Sequence, residues 1–330
     1  MQKISRKSSI KILTNHMGQK SSPTWKEVTT YLPPEGNGFI PSFKLAIRLY
    51  TKRLNYDCVV LGAGRSDMFF SLMQALLPFR RVPVIMIDCL WYISSNKLNQ
   101  TIKKLVFKIM DKCVYKYIVW SSCEIKAYAQ AFDLYEDKFV FVPYHTTLAE
   151  FFDVKPVEGD YIFSGGNFGR DYKPLIEAVR DLQVKLCIGS TRQENLLNIS
   201  SIPENVDIRG YSYRDFLEKM AGCRINVVAL VTDELHKGGQ QTFLNSMLLG
   251  KPTIVTDPEG AIDYIEHGVD GLLVPNDPSS IRKAILWLMD NPEKSAEMGK
   301  KAMQKAKQFS TEEHFKKIVS IANKVICKTT

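Results

Sequence analysis

Short apolar runs rich in Val and Ile alternate along this chain with helix-length amphipathic stretches, and this alternation limits the fold more than any other feature. The first set of runs is Ile10–Leu13, Cys58–Leu61, Val84–Ile87, Tyr117–Ser121 and Phe139–Val142. The second is Tyr161–Ser164, Val184–Ile188, Val206–Arg209, Ile225–Leu230, Thr253–Thr256 and Gly271–Val274. Runs without polar alternation fit strands buried on both faces of a parallel sheet. Helical patterns such as Ser66–Leu77, Tyr172–Arg180, Gln241–Leu249 and Ser279–Met289 separate them. Repeated strand–helix units imply α/β layers with right-handed crossovers. Five strands followed by six predict two doubly wound domains, 1–155 and 156–310, with 311–330 a helix that packs back on the first.

The 330 residues are enough for two such cores. With 45% apolar and 24% charged residues, the composition is that of a globular chain and not a disordered one. No apolar run is long enough to span a bilayer. The N-terminal MQKISRKSSIKIL is basic but lacks the apolar core of a signal peptide, so export is not expected. Seven scattered cysteines, without a CxxC pair, read as reduced buried thiols and not as a disulfide framework or zinc site.

The net charge of +9 is uneven. Residues 1–150 carry 21 Lys and Arg against 11 Asp and Glu, whereas 151–330 carry 23 against 24. A basic first half suggests an anionic partner. In 101–117 the apolar positions 102, 105, 106, 109, 110 and 113 form a helical stripe beside Lys104, Lys108, Lys112 and Lys116. The stripe is expected to face the core. Its lysines and the basic arm 1–56 are expected to meet an anionic membrane. Nucleic-acid binding is the alternative, weakened by the poverty of aromatic–basic interleaving and by the lack of a helix-turn-helix signature.

In open α/β sheets ligands bind beyond the carboxyl ends of the strands. The richest turn is His236-Lys237-Gly238-Gly239-Gln240-Gln241-Thr242. Two glycines let a phosphate approach the backbone where a helix starts, with Lys237 beside it. A second turn, FSGGNFGRDYK, carries Gly166, Asn167, Arg170 and Lys173. The planar guanidinium of Arg170 suits bidentate phosphate binding, and a surface pair with Asp171 is the competing reading. Arg192, Tyr211 and Tyr213 lie in further strand-end turns and are candidates for contacts with a nucleotide base. In the first half, Gly64, Arg65, Ser66 and Asp67 follow a strand. Asp67 stands where a dinucleotide fingerprint has its third glycine, which argues against NAD. Asp88 ends a buried strand and is a candidate general base. His16 and His145 are further candidates.

Residues 244–257, LNSMLLGKPTIVTD, resemble the donor-binding domain of family 4 glycosyltransferases of the GT-B fold. The resemblance continues through Gly260–Ile265, Gly268, Gly271–Pro275, Asp277, Asn291–Glu293, Met298-Gly299 and Phe309-Ser310. It covers about 160–310; the first half resembles the family only in its pattern of elements. It implies two Rossmann-like domains and transfer from a nucleotide sugar, UDP- or GDP-linked, to a glycan or lipid-linked acceptor. It also implies a role in cell-surface polysaccharide biosynthesis at the cytoplasmic face of the membrane. No cofactor and no metal are expected, since cations can neutralise the leaving diphosphate. The family's two glutamates are replaced by Lys237 and Asn245, and Gly166-Asn167 stands where Gly-Arg is usual. Asn245 can still hydrogen-bond a ribose. These departures keep open a donor-binding pseudoenzyme partnered with an active transferase, and an epimerase on the same fold.

Overall fold

The computed structural model describes all residues except 1–9, 19–21, 63, 149–153, 193–198, 200, 233 and 330. Part of the basic arm 1–56 therefore lies outside the described residues. The chain divides into two compact units, 1–142 with 312–330, and 143–311. The chain leaves the first unit at Val142, where the sequence pattern suggested a boundary at 155/156. Residues 143–148 are bonded into the second unit. Tyr144 N donates to Tyr264 Oη at 2.9 Å, Thr146 N to Phe309 O at 2.8 Å and Thr147 N to Asn245 Oδ1 at 2.9 Å.

The strands of the first unit are β1 Ile12–Thr14, β2 Thr29–Tyr31, β3 Cys58–Leu61, β4 Val84–Met86, β5 Val114–Val119 and β6 Phe139–Phe141. They form a parallel sheet in the order β2-β1-β3-β4-β5-β6. β2 is not among the expected strands. It has three residues, lies half-exposed at the sheet edge and contains no apolar run to reveal it. Cys58, Val60, Ile85, Ile87 and Ile118 point to one face, where the helix Thr311–Thr329 lays Phe315, Ile318, Ala322 and Val325 over them. Trp25 meets Phe315 there with ring centroids 4.7 Å apart. Helices Phe39–Lys52, Arg65–Leu76, Lys97–Met110 and Cys123–Phe132 pack side by side in that order.

The helix Lys97–Met110 corrects one expectation. Phe107 and Met110 are buried, whereas Ile102 and Leu105 are 50% and 59% exposed. The phase is set by Phe107, whose ring lies 4.3 Å from both Trp91 and Phe132. Gln100 turns the same way and donates to Ala131 O at 2.9 Å. The inward face is therefore 100, 107 and 110, and part of the apolar stripe faces outward. Among the described residues no helix is long and apolar enough to cross a membrane.

The strands of the second unit are β7 Tyr161–Gly165, β8 Lys185–Gly189, β9 Val206–Arg209, β10 Ile225–Val228, β11 Thr253–Val255 and β12 Leu272–Leu273. They form another parallel six-stranded sheet, β12-β11-β10-β7-β8-β9. Counted within the unit this is the 6-5-4-1-2-3 order, which reverses direction between β7 and β10. Helices Lys173–Val179, Pro278–Asp290 and Pro292–Ala306 cover one face, and Tyr213–Ala221 packs with Phe163 and Cys187 on the other. Gly299 lets its helix rest on the Gly250 carbonyl; a Cβ there would lie 2.1 Å from that oxygen.

Candidate functional site

In the second unit the two richest turns follow β7 and β10, the strands at the topological switch point. Gly165 ends β7, and Gly166 turns the chain at φ +131°, a conformation that disfavours side chains. Arg170 folds back into this turn and is 7% exposed. Its Nε donates to Gly165 O at 3.1 Å, its Nη1 to Phe168 O at 2.9 Å and its Nη2 to Thr242 Oγ1 at 2.9 Å. Burial pulls its pKa down. Among the described residues no carboxylate pairs with it. Asn167 ties the turn to the end of β8: its Oδ1 accepts from Thr191 N at 2.9 Å and Ser190 Oγ at 3.2 Å. Lys173 opens the next helix and is exposed. Arg192 spreads its guanidinium over the Phe168 ring, 3.8 Å from the centroid.

Gly239, at φ +90°, caps the helix Gln240–Leu248. Its Cβ position would crowd Leu230 at 3.1 Å, whereas Gly238 faces open space. The helix begins beside Arg170, so the first N–H groups and a guanidinium occupy one corner. Lys237 is held low in the turn. Its Nζ donates to Thr232 O at 2.8 Å and lies 3.6 Å from both Asp257 Oδ2 and Glu259 Oε2. Gln240 is buried and donates to Lys237 O at 2.6 Å.

Gln241, Asn245 and Tyr213 meet at Thr147, a residue that sequence reasoning missed. Thr147 Oγ1 accepts from Gln241 Nε2 and Asn245 Nδ2, each at 3.0 Å, and Tyr213 Oη lies 3.3 Å away. Asn245 is 2% exposed, and its Oδ1 accepts from Thr147 N and Leu148 N. Its amide therefore brackets the 147–148 backbone. Tyr211 packs edge-on to Phe163, with centroids 6.4 Å apart.

His145 is 2% exposed, and its Nδ1 lies 3.0 Å from Thr311 Oγ1 and 3.1 Å from Thr146 O. These contacts tie the imidazole to the 145–146 backbone turn and to Thr311, within the second unit. Asp88 belongs to the other unit.

In the first unit, residues beyond β1, β3 and β4 form a second cluster next to that sheet's switch point. Asp67 is buried. It accepts from Gly64 N at 2.8 Å, Ser66 Oγ at 2.9 Å and Asn15 Nδ2 at 2.5 Å. Burial pushes its pKa up to about 6, against the pull of these bonds and of His16. It pins the glycine turn by accepting the N–H of Gly64, the residue before the helix Arg65–Leu76, while Arg65 is exposed. Asp88 has a left-handed backbone, φ 55°, and its Oδ2 lies 3.0 Å from His16 Nε2. Gly18 N donates to His16 Nδ1 at 3.1 Å, so the ring proton sits on Nε2, facing Asp88. The sequence hint for this pair was only that both residues follow strand ends.

The model of the family described as "Glycosyl transferases group 1" matches residues 166–291. The chain is 35% identical over 72 residues to D-rhamnosyltransferase WbpZ of Pseudomonas aeruginosa, covering 21% of this chain and 19% of that one. It is 26% identical over 163 residues to an uncharacterised glycosyltransferase of Methanocaldococcus jannaschii, covering 47% and 46%. The matches thus span less than half the length of these curated relatives. The crystal structure of HepE from Anabaena, in complex with UDP, superposes with a TM-score of 0.69 at 16% identity, covering 96% of this chain and all of that one. With two doubly wound parallel sheets and this likeness, the chain has the GT-B fold, and its second unit carries a glycosyl transferases group 1 match from 166 to 291.

Proposed function

We propose that the protein transfers a sugar from a nucleotide-sugar donor, UDP- or GDP-linked, to a glycan or lipid-linked acceptor. The setting is cell-surface polysaccharide biosynthesis at the cytoplasmic face of the membrane. The observation that carries this is Arg170: a buried cation, without a carboxylate among the described residues, beside the start of a helix with two glycines before it. A diphosphate supplies the charge this corner lacks. Gly166, Gly238 and Gly239 let it approach the backbone. Asn167 and Arg192 shape the neighbouring turn, with Tyr211 and Tyr213 beyond it for the nucleoside. Donor binding by relatives supports the reading, since HepE has been solved with UDP and with UDP-glucose.

In the reaction the C1–oxygen bond to the diphosphate breaks, and an acceptor hydroxyl oxygen bonds to C1. The departing diphosphate takes the negative charge. The helix N-terminus and Arg170 stabilise it without a metal. The hydroxyl proton passes to Asp88, whose orientation His16 maintains. Gly64, Arg65 and Ser66 lie beside that pair on the acceptor side.

Thermal shift against UDP, GDP, ADP, CMP and their sugars, with EDTA, tests the donor site. One nucleotide should stabilise wild type, and at ~100 times its Kd the gain is about 2.7 kcal/mol. Absence of any shift overturns the reading. A second reading, nucleotide binding without turnover, is favoured by the internal engagement of Lys237 and Asn245. Release of free sugar or transfer from the stabilising donor would exclude it.

A further inference from the structure

The helix Arg65–Leu76 is partly inside out. Beside Phe70 and Ala75 it buries four polar residues, Ser66, Asp67, Ser71 and Gln74, while Met68, Phe69, Leu72 and Met73 are half-exposed and Leu76 is exposed. The inward polar groups have internal uses. Asp67 holds the glycine turn, and Gln74 exchanges two hydrogen bonds with the Val82 backbone, at 2.9 and 3.0 Å. The outward apolar groups continue onto both neighbouring helices. On Phe39–Lys52, the rings of Phe39 and Phe43 meet Phe69 edge-on at 5.2 and 5.6 Å yet remain exposed, as do Ile40 and Ile47. On Lys97–Met110, Leu98, Ile102 and Leu105 are exposed. An apolar patch across three adjacent helices of a folded unit marks an interaction surface.

Charge identifies the occupant. These three helices carry eight Lys and Arg, and the single acid among them is the buried Asp67. Two of the cations pair with acids outside the helices, Arg48 with Glu35 and Lys108 with Asp133. Lys44, Lys52, Lys97 and Arg65 are exposed beside the apolar side chains. The cores of protein–protein interfaces are depleted in lysine, whereas lysine interleaved with large apolar residues suits a lipid interface. We infer that this three-helix face docks on an anionic lipid bilayer, with its apolar side chains at the acyl boundary and its cations among the phosphates. This deepens the membrane setting proposed above and does not depend on the donor site of the second unit.

The test is sedimentation of the full chain with vesicles of phosphatidylcholine alone or with phosphatidylglycerol added. Wild type should bind the anionic vesicles, less so as salt rises. The double variant Ile102→Glu, Leu105→Glu should weaken binding by about tenfold or more with an unchanged melting temperature. A separate variant, Leu105→Trp, should shift its emission to the blue on anionic vesicles, which keeps the test sound if the double variant unfolds. Failure of wild type to bind overturns the membrane setting itself. Binding by wild type with equal binding by a folded double variant, or no emission shift when the Leu105→Trp variant is bound, overturns this face while leaving that setting standing. A dimer that these substitutions dissociate, without vesicle binding, would assign the face to a second copy and overturn the inference.

Discussion

Asn245 and Thr147 are joined by two hydrogen bonds. The amide oxygen of Asn245 accepts from the Thr147 backbone N–H at 2.9 Å, and its amide nitrogen donates to the Thr147 hydroxyl at 3.0 Å. Leu148 N adds a third bond at 3.1 Å. A glutamate at 245, as in the family this segment resembles, could not donate to Thr147 when ionised. Asn245→Ala should leave two backbone N–H groups unanswered in a buried place and cost about 2–4 kcal/mol in urea unfolding. Asn245→Asp keeps the acceptor and should cost less. A cost below about 0.5 kcal/mol for the alanine variant would mean that the bracket does not hold residues 147–148.

Arg170→Ala should weaken the stabilising nucleotide by about tenfold to a hundredfold, which corresponds to losing a charged hydrogen bond to phosphate. Arg170→Lys should recover only part of this, because an ammonium cannot keep the three separate contacts of the guanidinium. Calorimetric titration with the nucleotide found by thermal shift measures both. Equal affinity of wild type and a folded alanine variant would remove Arg170 from the donor site.

Burial alone would lower the His16 pKa, but the bond to Asp88, its charge and that of Asp67 outweigh burial and raise it. A raised folded-state value stabilises the fold fully below the unfolded value, about 6.5. That stability is lost as pH rises through the folded value. Asp67, pushed up to about 6, acts with the same sign in a lower window. Asp88→Asn should therefore lower the His16 pKa in an NMR titration. It should also cost more stability at about pH 5.5 than at about pH 8.5. Asn is the suitable replacement because it tolerates the left-handed backbone at this position. Transfer should fall in the same variant, with its pH dependence altered and not merely scaled.

Thiol chemistry offers a check on the cores. Burial raises Cys58 and Cys223 to about 12 and Cys113 to about 11. Cys89 is raised as well, and Cys327 is exposed. In the native protein an aromatic disulfide reagent should react first at Cys327, while these four buried thiols react only on unfolding. Rapid native labelling of Cys58 or Cys223 would contradict their burial.

The two sheets were legible because parallel strands buried on both faces must be continuous apolar runs, and all the runs picked out on that basis correspond to strands. The Gly-Gly turn before Gln240 was legible for a similar local reason: close backbone approach excludes a Cβ, and Gly239 requires a left-handed φ. By contrast, the apolar stripe of helix Lys97–Met110 faces inward only in part: Met110 is buried as its spacing predicts, but Ile102 and Leu105 are exposed. Its period is local, but its inward direction is chosen by Phe107 against Trp91 and Phe132, which come from other segments.

The sequence by itself determined the layered α/β class, the strand-end turns where ligands can bind, and the excess of cations in the first half. These depend on residue type and on spacing within a dozen positions. Only the tertiary structure decided that Asn245 is spent on Thr147, that His16 faces Asp88, and that Arg170 turns inward to Thr242. The partners in these pairs lie 98, 72 and 72 positions apart along the chain. Hydrogen bonding over such distances is set by which strand ends the sheet order brings together, and no local periodicity encodes that order.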